Sequence, residues 1–245
     1  MRSQFTRELR ELSVELSEMG AMVDRVMLDT LSALRNQDLM LARRIYRNDY
    51  KINAQESKIE QMCFNLIALQ QPMASDLRAI TAALKAVTDL ERTGDQCADI
   101  CEILLTNPGS RKMPVPQIIS RMMEKARDMF AGALDSFLRR DADLARDVCE
   151  RDDEVDELFS RAILELSQVL QDDRNMVSQA TDYMFIAKYV ERMADHATNI
   201  AEWAIYTVTG SYKDLNNHLF PGDMLGLGDD EEYDEAAPYL EDEDE

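Results

Sequence analysis

Glu91, Asp95 and Asp99 stand four residues apart, and so do Glu191, Asp195 and Asn199. On an α-helix each four-residue step turns only about 40° around the axis, so either trio forms one row of side-chain oxygens along a helix face. The surrounding residues are shared as well. Leu90-Glu91-Arg92-Thr93-Gly94-Asp95-Gln96-Cys97-Ala98-Asp99-Ile100 returns as Val190-Glu191-Arg192-Met193-Ala194-Asp195-His196-Ala197-Thr198-Asn199-Ile200, 100 positions on. Such a repeated frame indicates a duplicated domain with one oxygen row per half.

More oxygens recur upstream of each row. Asp49 and Asn53, with Glu56 one turn on, precede the first; Asp152 and Asp156, with Asp153 and Glu157 alongside, precede the second. Aligning Val155 with Ile52 pairs Asp152 with Asp49 and Asp156 with Asn53. If these segments pack antiparallel against the rows, each half presents five or more oxygens across a shallow groove. Such donors suit hard cations (Mg, Ca or Mn) or iron bridged by carboxylates, because like charges a few ångströms apart repel until a cation neutralises them. Two plainer arrangements use the same residues: a solvated acidic helix face, or acids paired with Arg92 and Arg192.

His196 lies about 100° around the helix from Asp195, which places it beside the site or on the surface rather than among the ligands. Cys97 and Cys101 have ligand-like spacing but fall on the apolar stripe, as packing thiols do. No glycine-rich phosphate loop, Ser-His-Asp set or Cys-His pair appears, so covalent catalysis and nucleotide hydrolysis have no visible machinery. Di-iron bundle enzymes place Glu-x-x-His pairs in the core, and neither Glu91 nor Glu191 has a histidine three residues on. The expectation is a non-enzyme; a metal-dependent oxidoreductase or phosphohydrolase, and a metal-free scaffold, are the alternatives.

Long helices must position these rows. Leu9, Leu12, Leu16, Met19, Val23, Val26 and Leu31 recur at three- and four-residue steps, predicting a first helix from Phe5 to about Asn36. Gly20 inside it marks a place where another helix comes close. A second helix runs from Leu39 to Leu69, stopped by Gln71-Pro72, and a third, capped by Ser75 or Asp76, runs to Leu104. After Asn107-Pro108-Gly109-Ser110 and Met113-Pro114-Val115-Pro116, the convincing internal linker, the plan restarts. A fourth helix runs from Ile118 through Phe137 to end at Arg139-Arg140-Asp141, a fifth spans Leu144 to Leu170, and a sixth carries Val190, Met193 and Ile200 to about Val208. The fold class is therefore all-α: two pseudo-symmetric three-helix bundles, over 1–108 and 109–210, before an appendage from 211 to 245.

Totals agree with long helices. The chain has 245 residues, 45% apolar and 31% charged, with only 8 Gly and 6 Pro. Its net charge of −21 is concentrated: residues 229–245 hold eleven Asp or Glu and no Lys or Arg, which leaves −10 for the rest. Neither part offers the basic face that nucleic acid requires, and the tail reads as disordered. The N-terminus lacks an apolar signal core and no run approaches the roughly 18 apolar residues of a membrane span. Cys63, Cys97, Cys101 and Cys149 sit in helical segments without metal-knuckle spacing, so a reducing cytoplasm is expected.

Between residues 5 and 208 the chain resembles the PhoU family, phosphate-transport and phosphate-signalling accessory proteins of bacteria. The motifs that carry the resemblance are Glu18-Met19-Gly20, Gln70-Gln71-Pro72 with Asp76-Leu77-Arg78, Asp89-Leu90-Glu91-Arg92-Thr93-Gly94-Asp95, Asp152-Asp153-Glu154-Val155-Asp156 and the Glu191 to Ile200 segment. The resemblance implies metal clusters, iron first and Mn, Zn, Mg or Ca otherwise. Their ligands would be Glu91, Asp95 and Asp99 with Asp49 and Asn53, and Glu191, Asp195 and Asn199 with Asp152 and Asp156. It also implies a regulator that restrains the phosphate-sensor histidine kinase and the phosphate ABC transporter, through its ATPase, when phosphate is sufficient. A homodimer is expected, with membrane contact only through partners. Gln96 opposite His196, and Tyr50 opposite Asp153, make the two halves unequal; the acidic tail lies outside the family pattern.

Overall fold

The computed structural model describes residues 2–106 and 113–211. Eight helices form within them: α1 (Arg2–Asn36), α2 (Leu39–Asn48), α3 (Tyr50–Gln70), α4 (Ala74–Thr106), α5 (Gln117–Arg139), α6 (Ala142–Cys149), α7 (Asp152–Asp172) and α8 (Val177–Thr209), with a short 3-10 turn at Arg174–Met176. No strand occurs among the described residues, as an all-α class requires. Residues 107–112 of the expected linker, and the expected tail from 212 onward, lie outside the described residues.

The duplication is visible in the backbone of the turns. Gln37 ends α1 and Arg140 ends α5 in the left-handed region, with φ of 50° and 55°. The Asp38 amide donates to the Ala33 carbonyl at 2.9 Å and Gln37 to Leu34 at 3.3 Å; Asp141 to Ser136 and Arg140 to Phe137 repeat both bonds at the same lengths. This paired closure satisfies carbonyls that the helix end leaves open. The next residue then starts the following helix. Asp38 accepts from the amides of Met40 and Leu41, and Asp141 from that of Leu144, as N-capping carboxylates do.

Two expected helices are each interrupted once. The predicted second helix, Leu39 to Leu69, divides at Asp49, and the fifth, Leu144 to Leu170, divides at Glu150-Arg151. At both places the ladder tightens to three-residue bonds: Ile52 donates to Asp49 at 2.8 Å, Arg151 to Val148 and Glu154 to Arg151 at 3.1 Å. Asp49, Glu150 and Arg151 keep helical dihedrals, so each rod continues past its break and the apolar period carries no trace of it. α4 also starts earlier than expected, at Ala74, which leaves Asp76 in the first turn, where a carboxylate favours the positive end of the helix dipole.

Each half is thus a three-rod bundle: α1, α2–α3 and α4, then α5, α6–α7 and α8. Two antiparallel seams join them. On α1/α5, Asp24 pairs with Arg127 at 2.8 Å and Arg35 with Glu124 at 2.6 Å, and a Cβ on Gly20 would collide with Leu134 of α5, the close approach that the sequence suggested. On α4/α8, Asp89 meets His196 and Asn199. A single apolar cluster runs through both halves, from Leu12 and Met19 through Leu90, Cys97 and Phe130 to Tyr183, Val190 and Ala204. Cys63, Cys97 and Cys101 are buried free thiols.

Gly94 sets how closely α3 approaches α4. A Cβ there would lie 2.8 Å from Ile52 Cδ1 and 3.3 Å from its Cγ2. At the equivalent positions the second half has Ala194 and Val155, one carbon more on one helix and one fewer on the other. Gly94→Ala should therefore crowd Ile52 and lower the melting temperature, and Ile52→Val should restore it. A double-mutant cycle by thermal or urea unfolding should give a favourable coupling of about 1 kcal/mol, while simple additivity would mean that the two residues do not limit the approach.

Candidate functional site

In the first half the expected residues meet. Glu91, Asp95 and Asp99 are half-buried along α4, and Asp49, at the break before α3, faces them. Burial, then Asp95, pushes the Asp49 carboxyl above its ordinary range, with Asp99 adding to the effect and a hydrogen bond from Asn53 opposing it. Glu56 is raised by burial, Glu60 and Asp95 against Arg92. Asp99 is raised by burial, Asp95 and Glu102 against Arg192. The strongest case is Glu91, pushed up to about 7 by burial, Asp95 and Glu56, with Arg92 opposing. Arg92 Nε stands 3.9 Å from the Glu91 carboxylate, too far for a hydrogen bond. Asp95 contributes to all four shifts and is the centre of the group. Asn53 Oδ1 is buried without a hydrogen-bond partner.

The second half is built differently. Glu191 Oε1 accepts from Lys188 at 2.5 Å, while its Oε2 is buried without a partner. Burial raises this carboxyl and Asp195 adds to the rise, against the hydrogen bond from Lys188. Asp152, the first residue of α7, is buried, as is Glu202 on α8. Burial, then Glu202 and Asp152, pushes the Cys149 thiol up to about 12. Asp156 is half-buried and Asp153 exposed. Asn199 turns its amide toward α4, donating to Asp89 at 3.2 Å, and His196 Nδ1 meets the same oxygen at 3.0 Å.

Three groups that sequence reasoning missed border the rows. Glu102 and Glu202 recur at the 100-residue offset, and that repetition was a usable signal; Tyr46 donates to Glu102 at 3.4 Å. Asp89 has Tyr189 as its counterpart, so the repeat hides it. Among the described residues no three His, Cys, Asp or Glu side chains converge closely enough to hold a metal ion as they stand. The donor set nevertheless fits an oxygen-ligated cation: crowded, partly desolvated carboxylates with raised pKa values and orphaned oxygens on Asn53 and Glu191.

The family model of the PhoU domain matches residues 16–104 and again 119–204, one match in each half. The chain belongs to the PhoU family. It is 39% identical over 217 residues to the phosphate-specific transport system accessory protein PhoU homolog of Clostridium acetobutylicum, covering 88% of this chain and 99% of that one. A PhoU homolog of Streptococcus pneumoniae is 32% identical over 88% of this chain and its own full length. The crystal structure of PhoU from Pseudomonas aeruginosa superposes with a TM-score of 0.81 at 34% identity, covering 84% of this chain and 100% of that one. The phosphate transport system regulatory protein PhoU from S. pneumoniae gives 0.80 at 30% identity, over 86% and 99%.

Raised carboxyls have a defined consequence for stability. A group whose folded pKa exceeds its unfolded value takes up a proton on folding between the two, so it favours folding at low pH and loses that contribution as pH rises through the folded value. For Glu91 the window runs from its ordinary 4.5 to about 7. Glu15, held low by Lys58 and Gln55, acts below this window. The metal-free protein should therefore melt higher at about pH 5.5 than at about pH 8, and Glu91→Gln should narrow the gap by raising the pH 8 value by a few degrees. A wild-type melting temperature that falls on this acidification, with Glu91→Gln unchanged, would contradict the crowding.

Proposed function

We propose that this PhoU-family chain is a non-enzymatic regulator of phosphate uptake and phosphate signalling. It acts as a cytoplasmic adaptor that restrains the phosphate-sensor histidine kinase and the phosphate ABC transporter, through its ATPase, when phosphate is sufficient. The observation that carries the reading is the extent of the likeness: both bundles match the family, and relatives named as phosphate transport accessory proteins align over nearly their whole length. Among the described residues no helix is long and apolar enough to cross a membrane, so contact with the membrane machinery is proposed through partner proteins. A homodimer is part of the same reading.

Metal binding is the second part of the proposal. In the first half Asp49, Asn53, Glu91, Asp95 and Asp99 would hold the ion, iron first, or Mn, Zn, Mg or Ca; in the second, Asp152, Asp156, Glu191, Asp195 and Asn199. A bound cation would supply the positive charge that lets Asp49, Glu91 and Asp99 ionise together despite their raised pKa values. The crowding around Asp95 supports this more strongly in the first half than in the second.

Protein purified without chelator should carry metal that Asp95→Ala plus Asp195→Ala removes, measured by elemental analysis. Pull-down against the sensor kinase and the transporter ATPase at high phosphate should capture at least one of them. Failure to bind either protein would overturn the adaptor reading, and absence of metal at any stoichiometry would leave a helical scaffold with acidic docking faces.

A further inference from the structure

Asp89 belongs to neither row, yet it reaches the second row from the first half. One carboxylate oxygen, Oδ1, meets both His196 Nδ1 at 3.0 Å and Asn199 Nδ2 at 3.2 Å. The Asp89 and His196 side chains are only 14% and 15% exposed, so water competes little for these bonds. A carboxylate accepts and does not donate, so it dictates how both partners point. Asn199 must turn its amide nitrogen toward α4, which aims its Oδ1 away from Asp89. His196 must present Nδ1–H to the same oxygen, and its Nε2 is buried without a hydrogen-bond partner.

We propose that Asp89 is the positioning residue of a divalent-cation site in the second row, holding Asn199 so that its carbonyl oxygen, and not its amide nitrogen, is presented beside Asp195. The proposal rests on the metal reading above and assigns the second site a dependence that the first lacks. The reason is the chemistry of the third residue in each row. Asp99 in the first row is a carboxylate whose two oxygens both accept, so either rotamer offers a ligand. Asn199 has one oxygen, and its flipped rotamer would point an NH2 group at the cation. An amide ligand needs an orienting acceptor, and a carboxylate ligand does not.

The first half has no carboxylate at the corresponding position. Tyr189 occupies the position equivalent to Asp89, Gln96 that of His196, and Asp99 that of Asn199. Tyr189 is raised by burial and then by Asp99, with Arg192 opposing, so this end of the α4/α8 seam sets a phenol and a guanidinium beside a carboxylate. The seam therefore ends in two different polar contacts, and the Asp89 end is the one that fixes an amide.

Mn2+ titration followed by electron paramagnetic resonance tests the proposal, with Asp95→Ala as the parent so that only the second row reports. Adding Asp89→Ala should weaken the remaining site about ten- to a hundredfold, the usual effect of losing an orienting partner, and Asp89→Asn, which keeps an accepting oxygen, should lose less. In the Asp195→Ala parent, which reports the first row, Asp89→Ala should change the affinity by less than about twofold on the same principle. A metal-independent readout accompanies it: nitrogen-15 spectra of the histidines, of which the chain has 2, should show His196 protonated on Nδ1 in the wild type and shifted toward Nε2 in Asp89→Ala. Unchanged second-row affinity, equal losses in both rows, or a His196 tautomer indifferent to Asp89 would each overturn the proposal. If neither parent nor wild type binds Mn2+, the metal reading fails and this proposal fails with it; binding that ignores Asp89 removes the proposal alone.

Discussion

The antiparallel contact between α4 and α8 is the constraint from which the functional groups take their positions. Each helix buries an apolar face, Leu90, Cys97 and Leu104 on one and Val190, Met193 and Ala204 on the other, in a core shared by both bundles. Apolar burial of this kind is worth about 25 cal/mol per Å2, and it fixes the rotation of both helices about their axes. Once the rotation is fixed, Glu91, Asp95 and Asp99, and Glu191, Asp195 and Asn199, have no choice but to lie along the seams. They are half-buried there, too enclosed to be solvated freely and too open to be core. The raised pKa values of Glu91, Asp99 and Glu191 follow from that position.

The first row shows how a fold can hold like charges together. Isolated acids at four-residue spacing on a free helix repel by only a few tenths of a kcal/mol, because water screens them. Bringing Asp49 and Glu56 up against Asp95 removes part of that water, and burial then leads the cause of every shift in the group. The absence of a side chain on Gly94 permits the approach, since Ile52 fills the space where a Cβ would sit. Packing at a glycine and electrostatics at an aspartate are one arrangement seen from two sides.

Duplication has produced two rows with one plan and different details. The turns at Gln37-Asp38 and Arg140-Asp141 agree bond for bond, and the two rods break at equivalent places, at Asp49 and just before Asp152. The contacts at the rows diverge. Asp95 presses on Asp49 in the first half, whereas in the second Asp152 lies buried near Cys149 with Glu202, and Asn199 is drawn to Asp89. Backbone geometry is set by caps and dihedrals that tolerate many side chains, so it survives divergence. Side-chain contacts change with single residues, as Asp89 against Tyr189 illustrates.

Periodicity in the sequence determined the all-α class, the rods, the buried cysteines and the alignment of Glu91, Asp95 and Asp99 in one row, because apolar spacing and four-residue steps define a helix face before any neighbour is known; that Asp49 faces this row was decided by how the rods pack. Periodicity did not reveal the breaks at Asp49 and Glu150-Arg151, where the ladder tightens to three-residue bonds while the dihedrals stay helical. Nor did it reveal Asp89: a helix pattern says which face a side chain occupies, but which residue of another helix it meets depends on how two helices cross. That crossing is decided by the packing of the shared core, a property of both halves together that neither repeat contains on its own.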